Sequence, residues 1–180
     1  SIIDVYIDKT EGSKFEGNEA TFWGHMHEST IMKVFAQKHS EFNVYQAPYS
    51  VVDDFHIANV DAVLKDRNTG EHGVLEIKTT NAFNYKDWEG DVVPQYYYAQ
   101  VQHYLMLTGY KFAYIAVLIG GNHYKDFKIE RSEEDIALIR EKATEFYKEN
   151  ILKQIPPMPD GSDAYMNYLK QKALEIENNE

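Results

Sequence analysis

The strongest constraint in this chain is a pair of segments, Ile57-Ala58-Asn59-Val60-Asp61 and Val74-Leu75-Glu76-Ile77-Lys78, set on either side of a polar stretch. Both read as strands, and Arg67-Asn68-Thr69-Gly70-Glu71 between them has the composition of a hairpin turn. Strand side chains alternate faces, so Glu76 and Lys78 share one surface while Leu75 and Ile77 point the other way, into a core. Val60, Ala62 and Leu64 give the first strand an apolar face too. These are the marks of interior strands, where a solvated charged face is less expected. Acid-x-Lys also occurs on exposed strands, where alternating charges merely face water.

Hard divalent cations such as Mg²⁺ or Mn²⁺ take oxygen ligands. They polarise a phosphate, acidify a bound water and balance developing charge, which makes them a common answer to slow phosphodiester hydrolysis. Asp61 and Glu76 offer carboxylates from adjacent strands, and the Ile77 carbonyl lies between Glu76 and Lys78. Lys78 suits orienting or deprotonating the attacking water, or holding a non-bridging phosphate oxygen. Glu28 lies among Ile31, Met32 and Phe35 on a helical pattern. A carboxylate in apolar company needs a partner. A metal ion would serve, with room left by Gly24 one turn earlier; alternatively Glu28 sits at the edge of the stripe and reaches water.

A length of 180 residues suits one domain, 1–180, with a helical tail over 156–180. No apolar run approaches the ~20 residues of a membrane helix, and nothing resembles a signal peptide. The expectation is a soluble, cytoplasmic protein. The absence of cysteine removes disulfides, thiolate zinc sites and iron–sulfur clusters. The formal charge of −11 argues against coating nucleic acid with a general basic surface. It leaves open a grip in one basic channel, because net charge does not locate charges.

Along the chain, residues 2–7 suggest a strand or a helix end, followed by a polar loop through Gly12 and Gly17. Residues 19–39 form a helix with Trp23, Ile31, Met32, Val34 and Phe35 on one side. Strands are expected over 42–49, 51–65 and 72–80, then a long polar, aromatic loop over 81–93. A helix follows, with Asp91 as candidate cap, Pro94 near its first turn and Gly109 at its end. Residues 112–119 read as a central strand and 123–130 as an edge strand. Ser132 and Asp135 open a helix to about residue 150, and another spans about 162–176 before a polar end expected to fray. This order gives an α/β fold, a mixed sheet with helices on both faces.

These residues carry a resemblance. Asp61 with Glu76-Ile77-Lys78 looks like the core of the PD-(D/E)xK nucleases, and the chain is similar more narrowly to the YqaJ-type viral recombinase exonucleases, the group that includes lambda exonuclease. Tyr6-x-x-Lys9-Thr10 with Asn18 resembles the family's opening, and Gly24-x-x-x-Glu28 its helix. Tyr97-Tyr98-Ala99-Gln100-Val101-Gln102-His103-Tyr104-Leu105 with Thr108-Gly109 resembles its Tyr/Gln helix. The resemblance implies a restriction-endonuclease-like core and a two-metal site, with Glu28, Asp61, Glu76 and the Ile77 carbonyl as ligands. It makes Lys78 catalytic and gives Gln100 a part in positioning the lysine or water. It implies 5′→3′ digestion of one strand of linear duplex DNA, 3′ overhangs loaded with a single-strand annealing protein, and in some members a ring trimer. The family's 5′-phosphate pocket lies on a helical segment before the Tyr6 block; with the sequence beginning at Ser1, that pocket is expected to be missing or supplied elsewhere.

Tyr97, Lys86 and Trp88 are candidates to touch DNA, although a tyrosine run is commonly packing and a tryptophan in a loop equally an anchor. Lys65, Arg67, Lys111, Lys125 and Lys128 are further candidate phosphate contacts. His25 and His27 stand two apart on a helix and so face different ways, which suits surface positions better than a shared metal. Two rival tasks remain for this sequence: an endonuclease or nickase of the same fold, and a non-catalytic module that binds DNA ends or a partner.

Overall fold

The apolar runs within residues 72–80 and 112–119 become the middle of a five-stranded sheet. In chain order the elements are α1 (Ile2–Thr10), α2 (Glu19–Lys38), β1 (Phe42–Gln46), β2 (Ser50–Asp53), β3 (His56–Asn59), β4 (Ala62–Asp66) and β5 (His72–Thr80). A 3₁₀ helix (Ala82–Trp88) leads to α3 (Gln95–Thr108), β6 (Phe112–Ile119), β7 (His123–Glu130), α4 (Glu133–Phe146), a π-turn (Tyr147–Ile151) and α5 (Asp163–Glu177). The structure, a computed structural model, describes residues 1–12, 16–47 and 49–177. The polar end after the last helix, the middle of the Gly12–Gly17 loop and Pro48 in the expected first strand lie outside the described residues.

The chain divides into two units, Gly17–Arg140 and Ser1–Glu16 with Glu141–Glu180. In the first, the strand order is β1-β4-β5-β6-β7, with β5 and β6 parallel and the other pairs antiparallel. β5 is therefore the middle strand, β6 is a central strand beside it, as expected, and β7 is an edge. Alternation sends Leu75, Ile77 and Ala116 to one face, against Ile31 and Phe35 of α2. Val74, Ala113, Ile115 and Val117 go to the other, against Val101, Tyr104 and Leu105 of α3. A sheet covered on both faces explains why its strands read as nearly continuous apolar runs. The fold is the expected mixed α/β sheet flanked by helices. In the second unit Ile3 and Tyr6 of α1 pack with Tyr165 of α5. Among the described residues no helix is long and apolar enough to cross a membrane.

Four local expectations change. Residues 2–10 are a helix, because Ile3, Tyr6 and Ile7 stand at the i, i+3, i+4 spacing of one helical face. The strand expected over 51–65 is three: a β2–β3 hairpin turns at Asp54, left-handed with φ 55°, and a bend at Asp61 precedes β4. Aspartate tolerates that conformation, so no glycine marked the turn. On α2 the core takes Ile31 and Phe35, while Trp23 is 51% exposed. The cap of α3 is Pro94, not Asp91; Gly109 ends the helix with φ 71°, as its sequence position implied.

Candidate active site

The site begins with a mismatch in strand length. β4 accompanies β5 only to the pair Ala62–Leu75, whereas β5 continues along β6 to Thr80. From Glu76 onward one edge of β5 lacks a strand beside it. A backbone N–H there needs another acceptor, and Asp61, in the bend before β4, provides it: Ile77 N donates to Asp61 Oδ2 at 2.7 Å. The N–H and C=O of one strand residue leave on the same side, so the Ile77 carbonyl opens onto the same notch.

Glu76 is 3% exposed. Its Oε1 accepts from Lys78 Nζ at 2.5 Å and from Gln100 Nε2 at 3.0 Å. Gln100 Nε2 also donates to the Tyr104 hydroxyl at 2.7 Å, so α3 fixes the carboxylate from above. Glu76 Oε2 is buried with no hydrogen-bond partner among the described residues. Burial, then the Asp61 charge, push the Glu76 carboxyl up to about 7, with the Lys78 ammonium opposing. Burial raises Asp61 as well, partly offset by the Ile77 N–H and reinforced by Glu28. The notch holds more negative charge than its one ammonium balances.

The α2 side is looser. Glu28 Oε1 meets His25 Nδ1 at 2.8 Å, and the glutamate side chain keeps 34% of its surface exposed. Glu28 lines an open cleft of about 380 Å³ with Gly24, His25, Ile77, Lys78 and Tyr97. Among the described residues no three His, Asp or Glu side chains converge as a ready metal cage. The donor set nevertheless suits a hard divalent cation: carboxylates and a carbonyl, an unpartnered buried oxygen and an excess of negative charge. Gly24 abuts Thr79 rather than the acids, since a Cβ there would lie 3.5 Å from Thr79 Oγ1.

Asp61, Glu76, Lys78 and Gln100 thus gather in one place, and Glu28 and the Ile77 carbonyl face the adjoining cleft. Tyr97 lines it with its ring centroid 4.8 Å from Lys78 Nζ. Trp88 is a correction: at 1% exposure it is buried against the core and has no face to offer DNA. Lys86 is exposed on the 3₁₀ helix. Lys65 pairs across from His72, and Lys128 from Tyr114, toward the other end of the sheet. Six residues of strand, roughly 20 Å, separate His72 from Lys78; Lys128 is only three residues away, level with Leu75, but its ammonium lies over the Phe112 ring on the opposite face of the sheet. Lys111 and Arg67 belong to that end too, with Arg67 donating to Asn43 at 2.9 Å. None of these four reaches a phosphate held at Lys78. Lys125, level with Lys78 in the register, is engaged with the Trp88 carbonyl at 2.5 Å. Two contributors went unrecognised in the sequence. His25 was legible from its i, i+3 spacing to Glu28, and Tyr104 from its i, i+4 spacing to Gln100.

Comparison with known proteins agrees with this architecture. Residues 1–111 match the family described as the YqaJ-like viral recombinase domain. The uncharacterized protein YqaJ of Bacillus subtilis (strain 168) is 36% identical over 193 residues, covering 98% of this chain and 56% of that protein. The chain therefore spans little more than half the length of this curated relative. An alkaline exonuclease from Laribacter hongkongensis superposes with a TM-score of 0.67 at 19% identity, over 97% of this chain and 84% of the other. A phage related exonuclease from Haemophilus somnus 129PT superposes with a TM-score of 0.63 at 15% identity, over 85% and 82%. At those identities the two structures are likenesses of fold. With the family match running through α3 and every acid of the notch inside it, this chain belongs to the YqaJ-like viral recombinase domain family.

Proposed function

We propose that this chain is a divalent-metal-dependent deoxyribonuclease that digests one strand of linear duplex DNA from its 5′ end. The observation that carries the reading is Glu76: a buried carboxylate with one oxygen unpartnered, beside a second carboxylate, with a single ammonium between them and water. Burying charge without a partner is costly, and a cation would relieve it. Glu28, Asp61, Glu76 and the Ile77 carbonyl would hold one or two Mg²⁺ or Mn²⁺ ions. When bound, such ions polarise the phosphate and lower the pKa of a coordinated water. Asp61 keeps Ile77 in place through its N–H. Gln100 keeps Glu76 aimed at the notch. Lys78, released from Glu76, donates to a non-bridging phosphate oxygen or orients the attacking water. The fold likeness to two exonucleases and the recombinase family support a task at DNA ends in recombination. The resulting 3′ overhangs would suit a single-strand annealing protein, and a ring of three copies would suit processive digestion.

The test is digestion of linear duplex with phosphorylated or unphosphorylated 5′ ends, beside a covalently closed circle, with and without Mg²⁺. The expected result is Mg²⁺-dependent loss of the linear duplex with the circle intact, and no cleavage by a folded Lys78→Ala variant. Cleavage by that variant would sink the assignment of the site; nicking of the circle would make the enzyme an endonuclease.

A further inference from the structure

Lys78 is placed by more than its carboxylate partner. Its ammonium lies over the Tyr97 ring, 4.8 Å from the centroid. The Tyr97 ring is in turn stacked on the Trp88 indole, with centroids 5.5 Å apart and planes 28° apart. Trp88 is the one buried residue of the 3₁₀ helix Ala82–Trp88. It also packs against Phe127, at 5.8 Å between centroids, and its carbonyl accepts from Lys125 Nζ at 2.5 Å. A wholly buried indole in a filled core has one position. It passes that constraint to the half-buried phenol ring. The ring face, negative by its quadrupole, attracts an ammonium and fixes its direction.

We propose that Trp88 and Tyr97 are positioning residues for the cleavage reaction, a stack in which the indole fixes the phenol ring and the ring face aims the Lys78 ammonium into the notch. This rests on Lys78 being the catalytic lysine. It differs from a role for Tyr97 in stacking on a base, which would show in substrate binding. The phenol hydroxyl is not needed, because a phenyl face carries the same quadrupole.

Kinetics on linear duplex with Mg²⁺ separate the possibilities. Tyr97→Leu should lower kcat about ten-fold with KM within about two-fold, and Tyr97→Phe should stay within about two-fold in both. Trp88→Phe, which keeps an aromatic core residue, should lower kcat by about two- to three-fold, and this loss should vanish in the Tyr97→Leu background, because the indole acts through the ring. A spectroscopic readout is independent of turnover. In protein labelled with ¹³C-lysine, the Lys78 CεH₂ signal should be displaced upfield by the ring. The displacement should be lost in Tyr97→Leu, kept in Tyr97→Phe and reduced in Trp88→Phe. A Tyr97→Leu enzyme with unchanged kcat, a loss confined to KM, or an undisplaced Lys78 signal would overturn the proposal. If Lys78→Ala still cleaves, the reading of the site fails. If Lys78→Ala is dead and Tyr97→Leu is unaffected, only the positioning stack fails.

Discussion

The two sides of the notch are built to different tolerances. On β5, Glu76 is 3% exposed, tied to Lys78 and Gln100, and flanked by a backbone that Asp61 caps. On α2, Glu28 keeps 34% of its side chain in solvent and is tied, among the described residues, to a histidine that is itself 72% exposed. The sheet side fixes geometry and carries the electrostatic cost of burial. The helix side carries little of that cost and can turn by a rotamer change. For the proposed cation, the rigid half would set where it sits and the adjustable half would complete its shell.

The contrast should appear first in cleavage. Glu76→Gln removes the buried carboxylate proposed as a metal ligand, a contribution of several kcal/mol, so Mg²⁺-dependent cleavage should fall by about 10³-fold or more. Glu28→Gln should cost about 10- to 100-fold, recovering in part as Mg²⁺ is raised, because its partner group is exposed and replaceable by water. Initial rates across a Mg²⁺ titration decide this. Equal, unrecoverable losses would erase the distinction between the two sides.

A smaller effect is expected in stability against pH. The Glu76 carboxyl is raised in the folded protein from an ordinary 4.5 to about 7. The folded state then holds the proton more tightly than the unfolded chain. Its stability contribution is full below about pH 4.5 and is lost as pH rises through about 7, on the order of 3 kcal/mol in all. Melting in chelator should show stability falling between pH 5 and 8, Mg²⁺ restoring it at pH 8, and Glu76→Gln flattening the slope. A Glu28→Gln variant that flattened it equally would contradict the assignment of the cost to β5. The smallest effect is on α2 itself. Gly24→Ala places a Cβ at ordinary contact distance from Thr79 and favours the helix by ~1 kcal/mol or less. The melting temperature should rise slightly, with cleavage within about two-fold; loss of Mg²⁺ activation would show that the helix side needs that space after all.

Much of the sheet was legible in the sequence. β5 and β6 coincide with the expected residues 72–80 and 112–119, because apolar runs bounded by turn residues leave little choice of register. The two tryptophans exchanged places. Trp23 carried the helical period of a core residue, but the core takes α2 only at Ile31 and Phe35. Trp88 stood in a segment with no period at all, yet it is the residue the core takes from that loop. Periodicity tells which side of a helix is apolar, not how far along it the sheet extends. For the notch, the acids and the lysine were visible as residue types on strands. That Asp61 caps Ile77 was not, because it depends on where β4 stops pairing, which is set by the register of both neighbours of β5.

That short β4 has a consequence for how such a chain would change over generations. Asp61 serves the fold as well as the proposed cation site, since without it the Ile77 N–H faces a strandless edge. Lys78 has no comparable structural duty: its ammonium answers a charge that protonating Glu76 would also remove. In a lineage released from selection for cleavage, Lys78 should drift first and Asp61 should persist. A descendant that keeps the aspartate and has lost the lysine would then be a relic of an enzyme, and the retained acid alone would be poor testimony that it still cuts.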